Sequence, residues 1–306
     1  MASDSKEIAI DMQFFHMYTD GTVKRFLPNQ FIPPSDDDPS AAVRSKDVVI
    51  DSETGLSVRI FMPGRRDATQ KIPLVVYIHG GAFCIGSVTG PTYHNYVADL
   101  VDKANVVAVS VQYRLAPEHP LPIAFDDSWA AFQWVISHAS SSSGGPDPWL
   151  NEHADFRRVF LGGDSAGGNI ANDVAVRAGD SKLPAGVGVE GIFLMHPWFG
   201  GKEVDKLYKM LCPTSSGRDD DPRVNPAVDP RIGTMAGRRV LFCLAEKDWL
   251  RNRGMGYCEE LKKSSWGGEV EVMESQGEGH CFHLFHPNTH NAVALMDRLV
   301  AFFNRP

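Results

Sequence analysis

The chain has 306 residues, 43% of them hydrophobic and 22% charged, with a formal charge of −8. That composition suits a globular protein with enough apolar material for a sizeable core. The negative balance and the scattered Lys and Arg residues argue against a nucleic-acid partner, and no hydrophobic run approaches the roughly 18 residues of a membrane-spanning helix.

The first residues, MASDSKEIAIDMQFF, carry no basic stretch leading into an apolar core and do not read as a signal peptide. Five cysteines (Cys84, Cys212, Cys243, Cys258 and Cys281) are widely spaced, odd in number and form no C-x-x-C pair. The pattern predicts free thiols in a reducing compartment, with the cytosol as the default.

Residues 1–45 are rich in Pro and Asp, contain PNQFIPPSDDDPS and show little periodicity. They predict an N-terminal arm of loops, able to lie over a pocket. KDVVID and LSVRIFM then interleave polar and apolar residues, as two strands of an antiparallel edge would. PLVVYIH (73–79) and NVVAVSVQY (105–113) are continuous apolar runs rich in β-branched residues, suited to strands covered on both faces. RVFLGG (158–163), VEGIFLMH (189–196), RRVLFCLAE (238–246) and EVEVMES (269–275) read as further strands. Helices are predicted over 92–103, from Ile123 to His138 and over 289–304. In the last, Ala292, Leu295, Met296, Leu299 and Phe303 fall on one face. Strand alternating with helix implies an α/β fold with a doubly wound, mostly parallel sheet in one domain, binding its ligand at the carboxyl ends of the strands. SSSGGPDP (141–148) reads as a flexible loop inside that domain.

Gly163-Asp164-Ser165-Ala166-Gly167 matches G-x-S-x-G, a pattern that a chain this long meets by chance about once in ten. Context raises its weight: a strand-like run precedes it and GGNIANDVAVRA, helix-like, follows. A strand-to-helix turn this sharp strains the serine backbone and requires small neighbours, and it points a helix N-terminus at the hydroxyl. The plain alternative is a serine capping a buried helix.

His79-Gly80-Gly81-Ala82 ends another strand. Glycines there let bare N–H groups face an oxygen that becomes negative in acyl transfer. The oxyanion hole is assigned to the amides of Gly81, Ala82 and Ala166, with Gly80 shaping the turn. A serine nucleophile needs a base held by a carboxylate, in the chain order Ser, acid, His for this kind of turn. Asp248 and His280 each follow a predicted strand in that order. Glu246 and Asp219 to Asp221 are rival acids; His283, His286 and His290 are rival bases nearer the last helix. Phe83, Ile85 and Trp198 are candidates for pocket or core alike.

Together, HGGAF, VQYRLAPEHPLP, AFDD, GDSAGGNI, AEKD and GEGHCFHLF resemble the plant carboxylesterases of the hormone-sensitive-lipase group, with DGTVKRF and KDVVID extending the likeness over nearly the whole chain. The resemblance implies an α/β-hydrolase core with an N-terminal cap segment, small-molecule ester substrates and no cofactor or metal. It places Ser165, Asp248 and His280 on the family's triad and the HGGA segment on its oxyanion loop. Two departures stand out. Ala82 replaces the third glycine of the HGGG pattern, which is harmless unless the position needs a positive φ. The segment PWFGGKEVDKLYKM, within a pocket-wall insertion at 197–225, is shorter than the family pattern. The same group includes gibberellin-receptor-like proteins, with an apolar residue in place of the triad histidine, and dehydratases and cyclases of specialised metabolism. An ester hydrolase is therefore the expected function, and a dehydratase, cyclase or non-catalytic hormone receptor the alternative.

Overall fold

The computed structural model describes residues 6–26, 30–36, 40–64, 70–139 and 145–305. Part of PNQFIPPSDDDPS and residues 141–144 of the expected flexible loop lie outside them.

The first element is not the arm of loops that its composition suggests. Strands β1 (Ile8–Met12), β2 (Phe15–Tyr18) and β3 (Val23–Arg25) form a small antiparallel sheet in sequential order. These strands are only three to five residues long and largely half-exposed, too short for their alternation to stand out in the sequence. Phe15 and Met17 are the exceptions, both buried in the main core. Arg25 ties this sheet down: its guanidinium donates to the Cys84 and Ala116 carbonyls and pairs in a fork with Glu118.

The main sheet has eight strands. In chain order they are β4 (Val43–Asp51), β5 (Leu56–Pro63), β6 (Ile72–Ile78), β7 (Val107–Gln112), β8 (Ala154–Asp164), β9 (Val189–Met195), β10 (Arg239–Ala245) and β11 (Glu269–Ser275). Their spatial order is β11-β10-β9-β8-β6-β7-β5-β4. The two pairings made by β5 are antiparallel and the others parallel; the β4–β5 pair is the antiparallel edge that its interleaved runs predicted. β6 and β10 are buried at every residue; each fully buried Val, Leu, Ile or Phe contributes about 1.5–3 kcal/mol.

Helices cover both faces. α1 (Pro91–Ala104) and α8 (His290–Asn304) pack on one, while α2 (Ile123–Ser137), α4 (Ala166–Asp180) and α6 (Arg251–Lys263) pack on the other. Three short helices escaped the sequence: α3 (Pro148–His153), α5 (Lys206–Leu211) and α7 (Phe282–Phe285). Each has only four to six residues, too few to show a period. α5 lies inside the 197–225 segment and buries Leu207, Tyr208 and Leu211. All five cysteines are free and buried. Among the described residues no helix is long and apolar enough to cross a membrane.

The strand order reverses where β6 lies between β7 and β8. Loops leaving the carboxyl ends of β6 and β8 diverge there, at the usual place for a ligand in such a sheet. The HGGA loop follows β6 and Ser165 follows β8.

Candidate active site

Ser165 sits between β8 and α4 with φ 51° and ψ −119°, a conformation strained for any residue with a Cβ. The strain is held in place from outside. The Ser165 amide donates to the Met195 carbonyl at 2.8 Å, and the Trp198 amide donates to the Ser165 carbonyl at 2.8 Å. Gly163 and Gly167 flank it because a Cβ at either would collide with the Ile78 carbonyl at the end of β6. The Ser165 side chain makes no capping bond to α4, so the helix-cap alternative does not describe it.

Its hydroxyl instead meets His280. The Oγ–H donates to Nε2 at 2.8 Å, and His280 Nδ1 donates to Asp248 Oδ2 at 2.8 Å. An ionised carboxylate only accepts, so the Nδ1 proton is fixed there and the Nε2 lone pair is turned to the serine. Asp248 follows β10 and His280 follows β11, each at a strand's carboxyl end. The rivals lie elsewhere. Glu246 is exposed and accepts from the Gly277 amide at 2.7 Å. Asp221 is taken up by Ser215 and Arg223, and Asp219 and Asp220 sit in the same outer loop. His286 and His290 are exposed, while His283 is buried without touching Ser165.

The HGGA loop passes beside the serine. Gly81 has φ 108°, and a Cβ there would strike the Ile85 carbonyl. Ala82 has φ 53°, so the position does demand the left-handed region, and alanine occupies it at a cost of about 1–2 kcal/mol. The Gly80 amide donates to Asp164 Oδ1 at 3.1 Å, which leaves Gly80 the role of shaping the turn. Among the described residues no hydrogen bond uses the amides of Gly81 or Ala82, and that of Ala166 belongs to the open first turn of α4. These three N–H groups thus have no hydrogen-bond partner among the described residues.

The α/β hydrolase fold family matches residues 75–284. The chain belongs to that family. It is 42% identical to probable carboxylesterase 3 of Arabidopsis thaliana, over 95% of this chain and 96% of that one. It is 39% identical to the 2-hydroxyisoflavanone dehydratase of Glycyrrhiza echinata, over 97% of each. Among solved structures, the esterase of Pyrobaculum calidifontis superposes with a TM-score of 0.67 at 27% identity, covering 85% of both chains.

Behind the predicted three residues lies one that the sequence reading passed over. His196, wholly buried at the end of β9, donates from Nδ1 to Asp248 Oδ2 at 3.2 Å. Asp248 Oδ1 accepts from the Leu250 amide at 2.9 Å. Burial alone would raise the Asp248 carboxyl, but the bonds from His196 and His280 outweigh it and hold the group well below the usual carboxylate range. Burial in turn lowers His196, which stays neutral, and its ring stacks on His283 at 5.4 Å. His196, Asp248 and His280 are the one cluster among the described residues close enough to hold a cation. Both Nδ1 atoms carry protons directed at the carboxylate, so hydrogen bonding accounts for the grouping.

Asp164 is the second residue the reading missed. It is buried under the site, and burial raises its carboxyl against the opposing bonds from Tyr77, Gly80 and Tyr93. Oδ1 accepts from the Tyr77 hydroxyl at 2.7 Å and from Gly80; Oδ2 accepts from the Tyr93 hydroxyl at 3.1 Å and faces the Cys281 thiol at 3.8 Å. One carboxyl group therefore joins the serine turn, the HGGA loop and the loop carrying His280. Phe83, Ile85 and Trp198 are all buried in the core beneath this region, with Phe83 stacked on Phe125.

Proposed function

We propose that this chain is a serine carboxylesterase that cleaves small-molecule esters through Ser165, His280 and Asp248. The observation that carries the reading is the unbroken relay from the Ser165 hydroxyl through His280 to Asp248, with both links at 2.8 Å. His280 removes the serine proton as Oγ attacks the ester carbonyl, and Asp248 fixes the imidazole tautomer and stabilises the imidazolium. The amides of Gly81, Ala82 and Ala166 receive the oxyanion, each such donor being worth about 3–4 kcal/mol. The alcohol leaves with the proton from His280, and water then releases the acyl group by the same steps in reverse roles. The eight-stranded unit acts as one catalytic domain, with the three-stranded sheet anchored by Arg25 as its cap and the 197–225 segment as a wall. The buried free thiols favour a reducing compartment such as the cytosol. No step calls on a metal or cofactor.

A dehydratase is the second reading, favoured by the 39% identity to the isoflavanone enzyme. The reading is tested with p-nitrophenyl butyrate: the protein turns it over, and Ser165→Ala removes the activity while circular dichroism is unchanged. Turnover retained in Ser165→Ala overturns the assignment. A wild-type protein inert to esters yet eliminating water from a 2-hydroxyisoflavanone would install the dehydratase.

A further inference from the structure

The loop after Asp248 carries an indole that the hydrolytic machinery leaves unused. Trp249 is 53% exposed, although its neighbours Asp248 and Leu250 are buried. An isolated exposed tryptophan needs no explanation, but this one is held on several sides. It meets Trp198 edge-on at 4.9 Å, and the Arg253 guanidinium lies 5.5 Å from its ring centre. Arg253 is itself fixed by the Phe199 carbonyl at 3.1 Å and by Asp205 at 3.7 Å, and Asp205 also accepts from the Trp198 indole at 3.0 Å. The Trp249 ring centre is 6.1 Å from that of His280.

Chemistry decides which half of an ester this ring meets. The alkoxide leaves by taking the proton from His280, so the alcohol half lies on the His280 side of Ser165. The carbonyl oxygen points to the Gly81 and Ala82 amides instead. A fixed, half-exposed indole beside His280 therefore borders the alcohol half. A flat ring laid there gains contact with the indole beyond simple area burial, and the packing of the indole against Trp198 and Arg253 lowers the entropic cost of ordering it.

We propose that Trp249 is the platform for an aromatic alcohol, and that the enzyme prefers esters whose leaving group carries a flat ring attached close to the oxygen. The proposal rests on reading Ser165 and His280 as an acyl-transfer pair. Trp198, Asp205 and Arg253 act on it only by holding the indole.

The test compares benzyl acetate with cyclohexylmethyl acetate, equally bulky but not flat, in the wild type, Trp249→Ala and Trp249→Phe. The wild type should favour the benzyl ester, and Trp249→Ala should lower the benzyl to cyclohexylmethyl ratio of kcat/KM about threefold to tenfold. Trp249→Phe, which restores a ring, should recover most of the ratio. An unchanged ratio in Trp249→Ala, or equal losses on both esters, overturns the platform while leaving the esterase reading standing. A wild type that hydrolyses neither these esters nor p-nitrophenyl butyrate overturns both.

Discussion

His196 and His280 donate to the same oxygen of Asp248, at 3.2 and 2.8 Å. The acid of the proposed relay is therefore shared between His280, which meets the Ser165 hydroxyl, and a buried histidine with no bond to the serine. Two donors on one oxygen compete, so His196 limits how tightly Asp248 can hold the proton of its other partner. Replacing His196 with Phe removes that competition in a site already lined by Phe282 and His283. The acid limb of the kcat/KM profile for p-nitrophenyl butyrate should move to higher pH. kcat at its plateau should fall less than about tenfold. An acid limb in its original place would show that His196 is packing alone.

Asp164 offers a different lever, because it touches the serine turn, the HGGA loop and Cys281 without touching Ser165 Oγ. Asp164→Asn keeps the shape and one acceptor but turns one oxygen into a donor, so either the Gly80 amide and Tyr77 or the Tyr93 hydroxyl loses its partner. Misplacing the loops by a fraction of an ångström should lower kcat about ten- to a hundredfold, with KM changed less than about twofold. Stopped assays on purified, folded Asp164→Asn give the answer, and a wild-type kcat would contradict the tie.

Stability should depend on pH through His79, which directly follows β6, wholly buried and stacked on Tyr113 at 4.3 Å. Burial lowers it to about 4 against the opposing bond to the Gly80 carbonyl. The unfolded chain, with histidine near its ordinary value of about 6.5, then takes up protons that the folded chain refuses between pH 6.5 and 4. Stability is full above that window and falls as the pH drops through it, by about 2–3 kcal/mol at pH 4.5 for this group alone. Burial lowers His196 and His283 as well, which steepens the fall. Urea unfolding at pH 7, 5.5 and 4.5 measures the slope. His79→Phe should flatten it, and equal slopes in the two proteins would count against the assignment.

Much of the candidate site is legible in the sequence. The G-x-S-x-G turn, the HGGA loop and the order of Ser165, Asp248 and His280 all depend on short patterns next to strong apolar runs, and such runs fix strand ends well. His196 was hidden by the same rule: at the end of VEGIFLMH it reads as the last residue of a buried strand. Only the strand order places β9 between β8 and β10, and so sets His196 between the serine and the acid. Asp164 occupied the free position of its motif, where any residue satisfies the pattern. The positive φ at Ala82 was a condition the sequence could state but not evaluate. The N-terminal sheet was invisible because its strands are short and held by Arg25, whose partners Cys84, Ala116 and Glu118 are 59 to 93 positions away.

The most direct test of the account is the reaction of the protein with a fluorophosphonate, followed by intact mass and peptide mapping. A nucleophile activated by His280 and Asp248 predicts one adduct per chain, on the peptide carrying Ser165, formed rapidly near neutral pH and abolished in Ser165→Ala. His280→Ala should slow it by several orders of magnitude, whereas His286→Ala should not. An unlabelled wild type, or an adduct that persists in Ser165→Ala, would contradict the central claim.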